Sequence, residues 1–135
     1  MVATITDSAT LVVGVPVVIQ SQSPTSPYTA AFEDDGDAGY FYACDFRDES
    51  QPILDASHVC DVRNVADGDC PSTVETVWSR GGLMAALRIN GYAHAAFDFQ
   101  ACRAYCRTGF PPPRGDGPWT KAGRDWDEAA LQELG

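Results

Sequence analysis

Basic residues are scarce in this chain and absent from its beginning: nine Lys and Arg stand against 19 Asp and Glu, and none precedes Arg47. The formal charge is −10 over 135 residues. Nucleic acid and anionic membrane surfaces are both polyanions, so neither is expected as the main partner, whereas a basic protein is. Long apolar runs are also missing. The longest, residues 11–19, is interrupted by Pro16 and falls far short of the ~20 residues that cross a bilayer. No positive stretch precedes it, so no secretory signal and a cytoplasmic location are expected.

Chemistry-bearing signatures are lacking too. There is no G-x-G-x-x-G, no P-loop and no G-x-S-x-G elbow, so no cofactor and no catalytic residue is assigned. The five cysteines, Cys44, Cys60, Cys70, Cys102 and Cys106, include no C-x-x-C pair. An odd count without a secretory signal reads as reduced, mostly structural thiols. On a strand Cys102 and Cys106 would lie about 13 Å apart, too far for a disulfide.

What is present reads as one domain, mainly β, with antiparallel sheet and a short C-terminal helix. Residues 11–20 are rich in β-branched side chains and read as a strand that Pro16 pushes toward an edge or bulge. Residues 21–27 (SQSPTSP) form a turn cluster. Residues 28–32 and 39–46 read as a hairpin around the acidic turn Glu33-Asp34-Asp35-Gly36-Asp37, with Tyr40, Tyr42 and Cys44 alternating against Phe41 and Ala43. Residues 53–65 are ambiguous between strand and helix, with strand favoured; alternation puts Leu54, Ala56, His58, Cys60 and Val62 on one face.

A three-stranded meander is expected over residues 74–99, joined by Gly81-Gly82 and Asn90-Gly91. Asn-Gly suits a type I′ turn, which needs positive φ at both positions. Two-residue loops would pair Ile89 with Tyr92, Leu87 with His94, Ala85 with Ala96 and Leu83 with Asp98. On the other side Arg80 would meet Leu83, Trp78 meet Ala85 and Thr76 meet Leu87. Trp78, Ala85 and Ala96 would then share a row, and Arg80 would reach Asp98. Residues 101–108 read as a strand or a turn of helix, and 111–125 as a Pro/Gly-rich loop. Asp125-x-x-Glu128 resembles a capping box for a helix over about 126–134, docked by Trp126.

Charge is distributed unevenly. Residues 33–75 hold 12 acids and 2 bases, a balance of −10, and residues 80–124 hold 7 bases and 2 acids, a balance of +5. Folding can set the two against each other as a mutual screen, or leave an acidic face that steers a basic partner. Glu33, Asp34, Asp35, Asp37, Tyr40 and Tyr42 are the candidate partner-binding residues. The acidic turn also raises a metal reading, but its spacing departs from a calcium loop, and a solvated turn is the simpler expectation. Neither His58 nor His94 has an assignable catalytic partner. Arg114-Gly115-Asp116 matches an adhesion tripeptide by chance.

The run from Asp34 to Asp45 (DDGDAGYFYACD) resembles a bacterial family of unknown function. Segments similar to that family recur at Gln51-Pro52-Ile53-Leu54-Asp55-Ala56, Val77-Trp78-Ser79, Ile89-Asn90-Gly91-Tyr92 and Phe97-Asp98-Phe99, spanning about residues 30–110. The resemblance implies a small bacterial intracellular protein and carries over no catalytic residue. The expectation is a non-enzymatic binding protein, one form of which is an immunity type that masks a basic toxin surface. The alternatives are a small metal-dependent enzyme or module at residues 33–37, and a homo-oligomer that pairs through the Tyr40-Phe41-Tyr42 strand.

Overall fold

The run that reads as one strand over residues 11–20 is in fact the crossing between two sheets. In the computed structural model, which describes residues 4–65, 70–108, 119, 125–129, 131 and 134, β1 (Thr4–Leu11) ends before a turn and β2 (Val17–Gln22) begins after it. Gly14 adopts φ 91°, a conformation that β-branched neighbours resist. The Val15 amide donates to the Val12 carbonyl at 3.0 Å, and Pro16 cannot extend a ladder. The chain therefore leaves one layer and enters the other.

Seven further strands follow: β3 (Thr29–Asp34), β4 (Ala38–Cys44), β5 (Ile53–Asp61), β6 (Ser72–Trp78), β7 (Met84–Ile89), β8 (Tyr92–Asp98) and β9 (Arg103–Cys106), with one 3-10 turn at Val62–Asn64 after β5. They form a five-stranded sheet in the order β1-β6-β7-β8-β9 and a four-stranded sheet in the order β2-β3-β4-β5. Every pairing is antiparallel. The core lies between the sheets. Phe32, Phe41 and Ala43 from one meet Val74, Trp78, Leu87 and Phe97 from the other, all buried. Phe41 stacks on Phe97 with centroids 5.0 Å apart, and full burial of one such ring is worth about 1.5–3 kcal/mol.

The β3–β4 hairpin forms as expected, but β3 runs on through Glu33 and Asp34, so that Thr29 pairs with Cys44 through Asp34 with Gly39; Phe41 and Ala43 are buried. Residues 53–61 are strand, but their face differs from simple alternation. Register shifts beside Gly39/Tyr40 and Ala43/Cys44 let Leu54, Val59 and Cys60 all pack on the core, while His58 and Ala56 sit opposite Tyr40 and Tyr42. An extra residue in one strand breaks the two-residue period.

The meander gains a fourth strand in β9 and is corrected at two turns. Asn90 and Gly91 have φ 54° and 81°, and Ile89 pairs with Tyr92. Beyond them a bulge leaves His94 without an opposite residue, so Leu87 pairs with Ala95, Ala86 with Ala96 and Ala85 with Phe97. The row beside Trp78 and Ala85 therefore ends on Phe97, not Ala96. Trp78 pairs with Ala85 and Thr76 with Leu87 as expected. The Gly81-Gly82 connection is four residues long, because Ser79 pairs with Met84: its amide donates to the Met84 carbonyl at 2.9 Å. Arg80 is then an exposed turn residue, and the Asp98 carboxylate instead accepts the amides of Gln100 and Ala101, each at 3.0 Å. The expected Arg80–Asp98 row does not form.

The SQSPTSP turn clasps that loop. Ser23 and Ser26 hydroxyls donate to the Gly82 carbonyl at 2.9 and 2.7 Å, and Thr25 to the Gly81 carbonyl at 2.9 Å.

No α-helix occurs among the described residues of 125–134; two successive turns take its place, Leu131 N to Glu128 O and Leu134 N to Leu131 O. The Glu128 carboxylate is drawn away from a capping role by the Trp126 indole (2.9 Å) and Arg107 (3.2 Å). Trp126 does dock: with Leu131 and Leu134 it covers Met84, Ala86, Ala96 and Tyr105 on the outer face of the five-stranded sheet. The expected loop at 111–125, with its Arg-Gly-Asp, lies outside the described residues apart from Trp119 and Asp125.

Candidate functional site

The acidic turn is built from carboxylates with different duties. Asp34 is buried, 2% exposed. Its Oδ2 accepts the Gly14 amide at 2.7 Å and its Oδ1 the Gly36 amide at 2.9 Å, tying the β1–β2 crossing to the β3–β4 turn. Asp34 is thus a structural brace. Asp35 is exposed, and its Oδ1 accepts the amides of Asp37 and Ala38, both at 2.9 Å. Those two bonds stabilise the carboxylate and hold its pKa below the usual value. Asp37 is exposed at the tip. Among the described residues, no three His, Cys, Asp or Glu side chains converge as a metal-ligand set.

Glu33, Tyr40 and Tyr42 belong elsewhere, on the outer face of the four-stranded sheet. The register places three rows there: Val18–Glu33–Tyr40–His58, Gln20–Ala31–Tyr42–Ala56 and Gln22–Thr29–Cys44–Ile53. The Tyr42 hydroxyl donates diagonally to Glu33 Oε1 at 2.8 Å. Burial and this carboxylate push the phenol well above its usual range, so it stays a donor. Burial also pushes the Cys44 thiol up to about 11, which leaves it a poor nucleophile. Beside this pair lies a shallow groove of about 290 Å³, lined by Val18, Gln20, Ala31, Glu33, Tyr42, Cys44, Phe46, Pro52 and Ile53. Three of its walls are large apolar side chains left in water: Val18 is 56% exposed, Ile53 55% and Phe46 50%.

Sequence reasoning did not reach these groove walls. Val17, Val18 and Ile19 are all apolar, so no alternation marks Val18 as the outward one. The β4–β5 loop at one end of the groove carries Asp45, Asp48 and Glu49. There Arg47 is held by Asp45 at 2.8 Å, and backbone and Ser50 donors keep Asp48 below its usual pKa. The basic segment is turned elsewhere: Arg107 lies over the Tyr92 and Trp126 rings at 4.3 and 4.0 Å, and Arg88 reaches Glu75 at 3.6 Å.

His58 gains partners that its sequence neighbourhood only hinted at. Its Nε2 lies 3.0 Å from Asp61 Oδ1 and its Nδ1 3.3 Å from Thr108 Oγ1. Cys106 Sγ and Thr108 Oγ1 both donate to the His58 carbonyl, at 3.1 and 3.0 Å. Thr108 Oγ1 also lies 3.2 Å from Cys106 Sγ, and this set of contacts stitches β5 to β9. All five cysteines are free thiols, and no helix among the described residues is long and apolar enough to cross a membrane.

No solved structure matches the chain. A protein of Haemophilus influenzae described as uncharacterized is 38% identical over 112 residues, covering 82% of this chain and 70% of the relative. Residues 11–135 match a family described as an uncharacterized protein conserved in bacteria (DUF2251), so the similarity reaches past residues 30–110 into both flanks. With most of its length matched, this chain belongs to that bacterial family.

Proposed function

We propose that this protein is a non-enzymatic binding protein that docks a basic partner on the outer face of its four-stranded sheet. The observation that supports this reading is an asymmetry between the two outer faces. One is covered by the chain's own Trp126, Leu131 and Leu134. The other leaves Val18, Phe46 and Ile53 in water around a carboxylate, and apolar surface rimmed by polar groups marks interaction sites. Its acidic surroundings would speed encounter with a positive surface and set its orientation. An immunity-type role, masking a basic toxin, has this chemistry. Pairing through β4 does not, since β4 lies between β3 and β5 and Phe41 is buried.

The test is an NMR titration of the labelled protein with basic peptides and with matched acidic ones, at low and high salt. Basic peptides should perturb amides near Val18, Ala31, Tyr42 and Ile53, and salt should weaken the effect. Perturbation centred on β6–β9, or none, overturns the reading. So does a concentration-dependent dimer that Val18→Lys and Ile53→Lys together dissolve, since the face would then serve a second copy.

A further inference from the structure

We propose that the groove beside Glu33 and Tyr42 is a receptor for a single arginine side chain of the partner, an inference that rests on the binding-face reading above. Glu33 sits mid-face between Val18 and Tyr40 in its row and is only partly exposed. Its Oε1 is engaged by the Tyr42 hydroxyl at 2.8 Å. No Lys or Arg among the described residues forms an ion pair with it; Arg47, the nearest base in sequence, is committed to Asp45 through both Nε (2.9 Å) and Nη2 (2.8 Å). A partly desolvated carboxylate among apolar walls is costly until a cation meets it. Among the described residues none meets it.

The walls specify the rest of the ligand. Val18, Pro52, Ile53 and Phe46 suit an aliphatic stem, as long cationic side chains bury their methylenes and keep the charged head at a polar site. The volume, about 290 Å³, lies at the lower limit of small-molecule pockets, which begin at roughly 300 Å³. One side chain fits that scale better than a cofactor does. Arginine is favoured over lysine by geometry. A planar guanidinium can donate to Glu33 Oε2 while its face lies on the Tyr42 or Phe46 ring, whereas an ammonium is a hydrated point charge without a stacking face. Burial and Glu33 raise the Tyr42 phenol pKa, so Tyr42 keeps its proton, Oε1 stays occupied by a neutral donor and Oε2 is left for the cation.

The experiment compares three capped peptides, identical but for a central arginine, lysine or citrulline, titrated by NMR into the wild-type protein, Glu33→Gln and Tyr42→Phe. Citrulline keeps the shape and loses the charge. The arginine peptide should move the amides around Val18, Ala31, Glu33 and Tyr42. Citrulline, or Glu33→Gln with the arginine peptide, should weaken binding about tenfold, the worth of one charge-assisted contact. Glu33→Gln should leave the citrulline peptide's affinity unchanged, and unshifted amides on β6–β9 would show the variant folded. Equal affinity of citrulline and arginine, or of Glu33→Gln and wild type for arginine, overturns the pocket. Lysine binding as well as arginine overturns the stacking argument. If basic peptides still perturb the face while Glu33→Gln binds them normally, the receptor is wrong and the docking face stands. If none perturbs the face, both fall.

Discussion

The indole Nε1 of Trp78 donates to Ser21 Oγ at 2.9 Å, and both side chains are buried. This bond runs from β6 in one sheet to β2 in the other, so the largest core residue is polar-locked to the opposite layer. Ser21→Ala removes the acceptor and leaves a buried N–H unpaired. The expected loss is about 1–3 kcal/mol, read as a lower urea midpoint at constant slope.

Asp34 and Asp37 differ by three positions and by function. Asp34→Ala deprives the Gly14 and Gly36 amides of their acceptor and should cost about 1.5–3 kcal/mol, as for hydrogen bonds to a charged group. Asp37→Ala, at the exposed tip, should stay within about 0.5 kcal/mol. Equal losses in chemical denaturation would contradict the assignment of Asp34 as the brace.

His94 gives the stability a sign with pH. Burial, and then the Arg107 charge, lower its folded-state pKa from an ordinary value of about 6.5. The unfolded chain therefore takes up the proton first. Stability is fully present above about pH 6.5 and declines as pH falls toward the lower folded value. His94→Gln should flatten that slope, measured by urea unfolding in a pH series. A second, more acid loss follows from Asp35, Asp45 and Asp48, whose pKa values are held below the usual carboxylate range by hydrogen bonds, from Arg47 in the case of Asp45.

Two glycines with positive φ separate backbone strain from crowding. Gly91 (φ 81°) has open space where a Cβ would go, while at Gly82 (φ 72°) that Cβ would collide with the Thr25 and Ser23 hydroxyls. Gly91→Ala should cost the left-handed strain alone, about 1–2 kcal/mol. Gly82→Ala should cost more, because the serine–threonine clasp must open as well. Thermal unfolding of the two variants side by side checks the order.

The strand content was legible wherever local chemistry decides it. Asn90-Gly91 announces its turn because few residue pairs tolerate two positive φ angles, and Tyr40, Phe41, Tyr42 and Ala43 show their faces by alternation. The failures have a common cause. Around His94 the sequence Ala93-His94-Ala95-Ala96 offers two small apolar residues in succession, so nothing local says which faces the core. Val12 and Val15 flank the Gly14 break with the same apolar character as the strands beyond it, hiding a change of layer. Glu33 reads as part of the acidic turn and Tyr40 and Tyr42 as part of the strand after it, but the groove needs Phe46, Pro52 and Ile53, which only the pairing of β4 with β5 brings onto the same face as Val18.

The bulge at His94 also makes one point of the core indifferent to chain length. Ile89 with Tyr92 and Arg88 with Ala93 lie on one side of it, Leu87 with Ala95 on the other. Deleting His94 would leave an unbroken ladder, with Ala95, Ala96 and Phe97 each keeping its partner and its layer. A gap of one residue here is a frame shift that the sheet has already absorbed.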